Sequence, residues 1–346
     1  MKKNYLITGG AGFIGSNYVN RLLDRHEDIT IFDNLSRAGA KTNLIWLKEK
    51  FGEKAFRLVV GDVRDSQLVE QVAKQADVIV HLAAQVAVTT SVTQPREDFE
   101  INAQGTFNVL EAARTSGKNP VMVYASTNKV YGGMDDVPVV EDSTRWRYRD
   151  LPMGCSENQA LDFHSPYGCS KGCGDQYVRD YARIYGLRTV VCRQSCIYGP
   201  RQFGVEDQGW LAWMAIAAVT GRQITVYGDG KQIRDVLHVD DLLDAYDAII
   251  QNIDQVSGRV YNLGGGRRNV ISIWQEFGPK LEKLLGKPIP ILQGDWRPGD
   301  QKVFVADIRK AENELGWSPK IHVDEGLKRL FDWVIQNQQL FQSTNP

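Results

Sequence analysis

The sequence has no hydrophobic run that approaches the roughly 20 apolar residues of a membrane-spanning helix. It has no apolar leader of the length that an export signal needs, since glycines begin at Gly9. It also has no excess of either charge, with 41 Lys and Arg against 42 Asp and Glu among 346 residues, so no overall field attracts nucleic acid or anionic membranes. We therefore expect a cytoplasmic protein, without nucleic-acid or membrane partners, that holds any anionic ligand through local groups.

Cysteine is scarce, and its five residues are an odd number in a chain without an export signal. A disulfide framework is therefore not expected. Two pairs, Cys169 with Cys173 and Cys192 with Cys196, share a spacing that invites a zinc interpretation. The cysteine pairs of structural zinc sites usually lie closer together in sequence, so we predict no metal site.

Short β-branched runs alternate with amphipathic stretches through the first half of the chain. This alternation predicts the α/β class, with a Rossmann-type, doubly wound parallel sheet that carries helices on both faces. The predicted strands are residues 5–8, 29–32, 57–60, 78–81, 121–124 and 188–193. The predicted helices between them include residues 16–25, 66–74, 98–115 and 166–185.

The regular alternation ends after Tyr198. The pattern beyond it predicts helices over residues 210–220, 239–251 and 323–338, and strands over residues 224–227 and 260–263, the second of which returns to the main sheet. We predict a Rossmann domain over residues 1–198 with a returning segment near 233–264. A smaller mixed α/β lobe for the substrate would cover mainly residues 199–346, with a cleft between the two.

A glycine-rich run, GGAGFIG, occupies residues 9–15 directly after the first predicted strand and before a helix. Glycines at three-residue spacing allow a tight turn, and they let backbone N–H groups and the helix N-terminus approach a pyrophosphate. Asp33 ends the second strand, where its carboxylate would accept hydrogen bonds from an adenosine ribose and repel a 2′-phosphate. The pattern predicts NAD over NADP, although Arg37 could pair with such a phosphate if its loop turned that way.

Two further segments carry acid–base chemistry. Tyr167 and Lys171 are i and i+4 on a predicted helix, so they share one helix face. The pKa of a free tyrosine is about 10, and a nearby ammonium would stabilise the phenolate and lower that pKa. Thr127 follows the fifth strand, where it could bind a substrate hydroxyl and guide its proton to Tyr167. A Tyr and a Lys at this spacing also occur by chance on ordinary helix surfaces. The Thr127 segment at the end of the fifth strand favours the catalytic interpretation over that alternative.

With these motifs the chain resembles the NAD-dependent epimerase and dehydratase group of the extended short-chain dehydrogenases. That group combines the glycine turn with a Tyr-x-x-x-Lys helix and a Ser or Thr after strand five. The resemblance implies a catalytic trio of Thr127, Tyr167 and Lys171, and a supporting role in the cofactor site for Asn102. The predicted cofactor-binding set is Gly9, Gly12, Phe13, Ile14, Gly15, Asp33, Asn34, Ser36, Arg37, Asp62, Val63, Leu82, Ala83, Ala84, Gln85, Asn102, Tyr167, Lys171 and Ile197.

Within this group, 4,6-dehydratases carry Thr-Asp-Glu where the chain has Thr127, Asn128 and Lys129. Dehydration is disfavoured because Asn128 cannot ionise and Lys129 has the wrong charge. The chain resembles instead the CDP-tyvelose 2-epimerase family, over segments 32–37, 126–132, 161–172, 201–203, 207–210 and 230–238. The resemblance implies inversion of carbon 2 of a CDP-sugar, of the paratose/tyvelose or glucose/mannose type, through a transient 2-keto sugar and tightly bound NAD.

Arginines are the predicted ligands of the substrate's diphosphate, with Arg234 first and Arg201 and Arg297 after it. Many relatives have asparagine where Cys196 falls, which puts that residue's substrate contact in doubt. The predicted substrate-binding set is Thr127, Asn128, His164, Ser195, Cys196, Arg201, Gln202, Phe203, Gln208, Arg234 and Arg297.

Other functions stay open on the same trio: a UDP-sugar 4-epimerase, a reductase that releases NADH, and a catalytically silent NAD-binding protein. We also expect a homo-oligomer. The helical faces over residues 103–113 and 177–185 could pair two subunits, but they could equally pack internally.

Overall fold

The computed structural model describes residues 2–297 and 300–342. Its strands are β1 (Asn4–Thr8), β2 (Asp28–Asp33), β3 (Arg57–Val60), β4 (Val78–His81), β5 (Val121–Thr127), β6 (Val139–Glu141), β7 (Trp146–Tyr148), β8 (Thr189–Gln194), β9 (Cys196–Tyr198), β10 (Ile224–Tyr227), β11 (Ile233–His238), β12 (Val260–Leu263), β13 (Val270–Ser272), β14 (Ile291–Gly294) and β15 (Val303–Phe304).

Its helices are α1 (Phe13–Asp24), α2 (Ala40–Phe51), α3 (Ser66–Ala73), α4 (Val88–Thr93), α5 (Pro95–Phe99), α6 (Gly105–Thr115), α7 (Ser165–Tyr185), α8 (Trp210–Thr220), α9 (Val239–Gln251), α10 (Ile253–Val256), α11 (Phe277–Leu285), α12 (Arg309–Leu315), α13 (Val323–Gln336) and α14 (Gln339–Gln342). A π-helical segment covers Glu100–Gln104. None of the described helices is both long enough and apolar enough to span a bilayer.

The main sheet has seven strands in the order β12-β8-β5-β4-β1-β2-β3, and all of its pairings are parallel. Successive residues of β1 face opposite helix layers. Ile7 packs in the cluster that contains Tyr18 of α1 and Tyr246 of α9, whereas Leu6 packs in the cluster that contains Val109 of α6. Apolar side chains on both faces are what a parallel sheet buried between two helix layers requires. The predicted Rossmann-type fold, with β12 returning to the sheet, is confirmed.

The second lobe is built on two small sheets. Strand β11 pairs with β13, β15 and β9, and β10 pairs in parallel with β14. The core of this lobe contains Leu211 of α8, Phe277 of α11 and Leu330 of α13. Strand β9 begins directly after β8 of the main sheet, and β11 leads into α9, which packs against α1. These crossings join the lobe to the main sheet beside the carboxyl ends of β5 and β8.

Several local features differ from the prediction. The single helix predicted over residues 98–115 is divided by the π-helical segment. Helix α2 and the antiparallel pair β6–β7 were not predicted. The two strands of that pair have three residues each, which is too few to establish a two-residue period.

The packing of α13 against β9 depends on a glycine. A β-carbon added at Gly326 would lie 2.0 Å from the hydroxyl oxygen of Tyr198. Tyr198 is itself fully buried, so its ring has no free space to move into. The absence of a side chain at Gly326 therefore sets how closely this helix approaches the sheet.

We predict that Gly326→Ala destabilises the protein by about 1–3 kcal/mol, because it overpacks this contact. The sign is diagnostic, since alanine in place of glycine inside a helix normally stabilises it by about 1 kcal/mol. Chemical denaturation of Gly326→Ala, Tyr198→Phe and the double variant would measure the effect. Removal of the tyrosine hydroxyl should recover part of the loss, and a Gly326→Ala variant more stable than the parent would contradict the assignment.

Candidate active site

The glycine turn after β1 has no room for side chains. Gly9 has φ of 70°, and a β-carbon at Gly15 would lie 2.3 Å from the Gly9 carbonyl oxygen. Gly12 precedes the first residue of α1 and provides no side-chain cap, so the helix N-terminus keeps unbonded N–H groups. Those donors and the positive end of the helix dipole are suited to an anionic pyrophosphate.

A cavity of about 430 Å³ opens beside this turn, which is within the usual range for small-molecule sites of about 300–1,000 Å³. Every predicted cofactor residue lines it except Asn102 and Ile197. Four residues of the predicted substrate set also line this cavity, namely Arg201, Gln202, Phe203 and Gln208. The structure therefore brings together residues from the ends of β1, β2, β4 and β5 and from helix α7.

Two carboxylates define one end of the cavity. Asp33 is buried, and it accepts hydrogen bonds from the backbone N–H groups of Ala11 at 3.0 Å and Leu35 at 2.8 Å. Its negative charge is thereby fixed where it would oppose a 2′-phosphate. Arg64 holds Asp62 through two bonds of 2.9 Å and lowers the pKa of that carboxyl to about 2.

Asn102 supports the cavity without lining it. Its side-chain amide donates to the Gln85 carbonyl at 3.0 Å and to Asp98 at 3.1 Å, while its oxygen accepts from the Gln85 N–H at 2.9 Å. Asp98 also accepts from the Ser170 hydroxyl at 2.5 Å. This network ties the loop after β4 to helix α7. The π-helical segment contains Asn102, in keeping with the frequent occurrence of such segments at functional sites.

Thr127 and Tyr167 share a side-chain hydrogen bond, and both side chains are buried. Burial raises the pKa of Tyr167 to about 12, and the Thr127 hydrogen bond and the Arg37 charge act against that increase. Burial outweighs both, so this pKa lies above that of a free tyrosine.

Lys171 is buried in the middle of helix α7. Its ammonium lies 4.4 Å from the ring centroid of Tyr124. Burial lowers the pKa of Lys171 to about 7, and the carboxylates of Asp175 and Asp98 oppose that shift. Asp175 is held in turn by Arg193, at 2.9 and 3.0 Å. The catalytic helix is thus fixed by two buried carboxylates that the sequence did not single out.

A second cavity of about 220 Å³ lies near the trio, lined in part by Lys129 and His164. Arg234 is buried nearby, and its guanidinium forms an ion pair of 2.7 Å with Asp300. The charges of Arg234 and Lys129 act on each other, and both act on Cys196. These residues form one cationic cluster beside Thr127.

Three residues predicted to bind substrate have other partners. The Ser195 hydroxyl donates to the buried Asp235 carboxylate, which also accepts from the Gly266 N–H at 3.2 Å. Arg297 pairs with Asp207 at 3.1 Å and lies 3.9 Å from the Tyr227 ring centroid. Arg201 stacks on Trp46, with its guanidinium carbon 4.0 Å from the ring centroid. Only Arg234 of the three arginines belongs to the cationic cluster.

A family model described as GDP-mannose 4,6 dehydratase matches residues 6–330. The chain belongs to this family of extended short-chain dehydrogenases. It is 44% identical over 336 residues to a CDP-paratose 2-epimerase from Salmonella typhi, which covers 95% of this chain and 98% of that relative. It is 32% identical over 342 residues to a putative UDP-glucose 4-epimerase from Methanocaldococcus jannaschii, which covers 96% and 99%.

A solved structure of the dTDP-glucose 4,6-dehydratase DesIV from Streptomyces venezuelae, with NAD bound, has a TM-score of 0.83 and 29% identity to this chain. The match covers 98% of this chain and 99% of that one. The predicted resemblance, the enzymatic role and NAD as the cofactor are confirmed. The glycine turn and the placement of Asp33 fit NAD, because a diphosphate and a ribose need donors and an acceptor at these positions.

We predict that Asp98→Asn lowers the pKa of Lys171 below about 7 in the protein without NAD. The carboxylate favours the ammonium form, so its removal makes Lys171 lose its proton at a lower pH. An NMR titration of ¹³C-labelled lysine side chains measures this, with the signal assigned from Lys171→Arg. An unchanged or higher midpoint would show that Asp98 does not act on the lysine.

Proposed function

We propose that the protein inverts carbon 2 of a CDP-sugar, of the paratose/tyvelose or glucose/mannose type. The observation that carries this proposal is the Thr127–Tyr167 hydrogen bond next to Lys129, where a dehydratase of this group needs a carboxylate. Tyr167 and Thr127 can then deprotonate a substrate hydroxyl, but the carboxylate base that eliminates water in a dehydratase is missing. The 44% identity to a CDP-paratose 2-epimerase supports the choice of carbon and nucleotide.

In this mechanism Tyr167 takes the proton of the carbon-2 hydroxyl, and Thr127 orients that hydroxyl through its own hydrogen bond to the tyrosine. NAD, when bound, supplies a hydride acceptor that can return the hydride. Lys171 would bind the cofactor ribose, and the Asp98 and Asp175 carboxylates favour its charged form. Loss of the hydroxyl proton and of the carbon-2 hydride would leave a 2-keto sugar, which turns within the pocket and presents its other face. Return of the hydride to carbon 2, with return of the proton from Tyr167 to the oxygen, then gives the inverted configuration.

The cavity of about 220 Å³ beside Lys129 and His164 would give this rotation its space. Arg234 is buried and held by Asp300, so it would grip the diphosphate while the sugar turns. Because loss of the cofactor would strand the keto sugar, NAD should remain bound through the whole cycle.

The test is incubation of the purified enzyme with CDP-glucose deuterated at carbon 2, without added cofactor, followed by NMR. We expect CDP-mannose that retains deuterium at carbon 2, since the same hydride leaves and returns. Tyr167→Phe should lower kcat at least about 100-fold because it removes the acid–base group. Conversion of a UDP-sugar at carbon 4, with none of the CDP-sugar at carbon 2, would replace this function with the 4-epimerase alternative.

We also propose that the active form is a homo-oligomer that pairs helices α6 and α7 of two copies. Large apolar side chains lie exposed on these helices, among them Phe107, Tyr177, Tyr185 and Ile184, which is 66% exposed. The rings of Phe107 and Tyr177 pack edge to face with centroids 5.9 Å apart, so they form one continuous patch across both helices. A two-fold axis would bury this patch against itself.

We predict that Ile184→Glu converts the oligomer into monomers, because it places a charge within the patch. The matched control is Ile335→Glu, an exposed isoleucine on α13 that lies outside the patch. Light scattering coupled to size-exclusion chromatography gives the masses. A monomeric parent, or an oligomer that survives Ile184→Glu, would rule out this interface.

A further inference from the structure

The cationic cluster beside Thr127 holds two cations and one ion pair. The Arg234 guanidinium pairs with Asp300 at 2.7 Å, and the charges of both act on the Lys129 ammonium. Asp235, a second carboxylate that acts on Cys196, is bound by the Ser195 hydroxyl and the Gly266 N–H. Among the described residues no carboxylate lies within ion-pair distance of the Lys129 ammonium, which donates to the amide oxygen of Gln301 at 3.5 Å.

Burial and the charge of Arg234 together lower the pKa of Lys129 to about 8. Two like charges held near each other in a partly desolvated site repel, and an anion placed between them relieves that repulsion. The arrangement suits a phosphate, which offers several oxygens to two cations at once. The lysine also lines the second cavity.

Lys129 is tied directly to the catalytic trio. Its backbone N–H donates to the Thr127 hydroxyl oxygen at 3.2 Å, and Thr127 hydrogen-bonds Tyr167. The lysine and the threonine of the trio thus lie on one short segment at the end of strand β5. In a sugar nucleotide the phosphate is attached to carbon 1, which adjoins carbon 2 and lies across the ring from carbon 4.

We propose that Lys129, together with Arg234, binds the phosphate that carries the sugar and thereby places carbon 2, not carbon 4, at Thr127 and Tyr167. This proposal rests on the proposed function and assigns the selection of the reacting carbon to one side chain. A sugar whose phosphate is held next to the trio cannot extend its far edge to the tyrosine. Without the lysine, Arg234 would still hold the diphosphate, but the sugar would no longer be held in one position at Thr127 and Tyr167.

The first test compares binding of CDP and CMP to the NAD-loaded protein by isothermal titration calorimetry at pH 7. Lys129→Gln should weaken CDP binding about tenfold, as expected for loss of one charge-assisted contact. It should weaken CMP binding less than about threefold, because CMP lacks the phosphate in question. Lys129→Arg should retain most of the CDP affinity. The matched control is Lys310→Gln, a half-buried lysine that bonds the Val260 carbonyl.

Equal weakening of CDP and CMP, or no weakening of either, would overturn the phosphate assignment. The second readout is turnover of the carbon-2-deuterated substrate at saturation, where Lys129→Gln should lower kcat at least about tenfold and Lys129→Arg should not. Undiminished kcat in Lys129→Gln would overturn the placement of carbon 2. If the parent binds UDP in preference to CDP, or fails to act at carbon 2, the proposed function fails, while the diphosphate-to-monophosphate comparison, made with UDP and UMP, still decides the role of Lys129.

Discussion

The burial of one ammonium group constrains the whole active site. Lys171 lies inside helix α7, and a desolvated charge at that position is costly unless carboxylates and an aromatic ring accompany it. Asp98, Asp175 and the face of Tyr124 provide that surrounding. Each carboxylate must itself be fixed by donors from other elements. The need to bury this lysine therefore couples helix α7 to α5, to the loop after β4 and to strands β5 and β8.

Burial also determines the acid–base behaviour of Tyr167. Tyr167 is shielded well enough that its pKa is raised to about 12, and the hydrogen bond from Thr127 only partly offsets this increase. The charge of Arg37 acts in the same direction as that hydrogen bond, and burial outweighs both.

The features that could be predicted from the sequence are those whose partners lie close in the chain. The glycine turn, Asp33 at the end of β2 and the Tyr167–Lys171 spacing each follow from local geometry, and all lie at the cavity as expected. Asp98 was not predicted as a site residue because its decisive partner, Ser170, is 72 residues away and an acidic residue on a helix looks ordinary. Ser195 was predicted as a substrate ligand, and only the fold reveals that its hydroxyl donates to Asp235, which is 40 residues away in sequence.

A shared cofactor site leaves the choice of reaction to very few side chains. The trio and the glycine turn are compatible with epimerisation at several carbons and with dehydration, so they cannot distinguish these chemistries. Asn128 and Lys129 stand where the dehydratases of this group carry an acid and a base, at the end of strand β5. Exchange of a carboxylate for an ammonium there removes a base and, in the proposed function, adds an anion-binding group. Because the sugar's only fixed negative charge is on the phosphate next to carbon 1, such an exchange would then change both which reaction can occur and which carbon faces Tyr167.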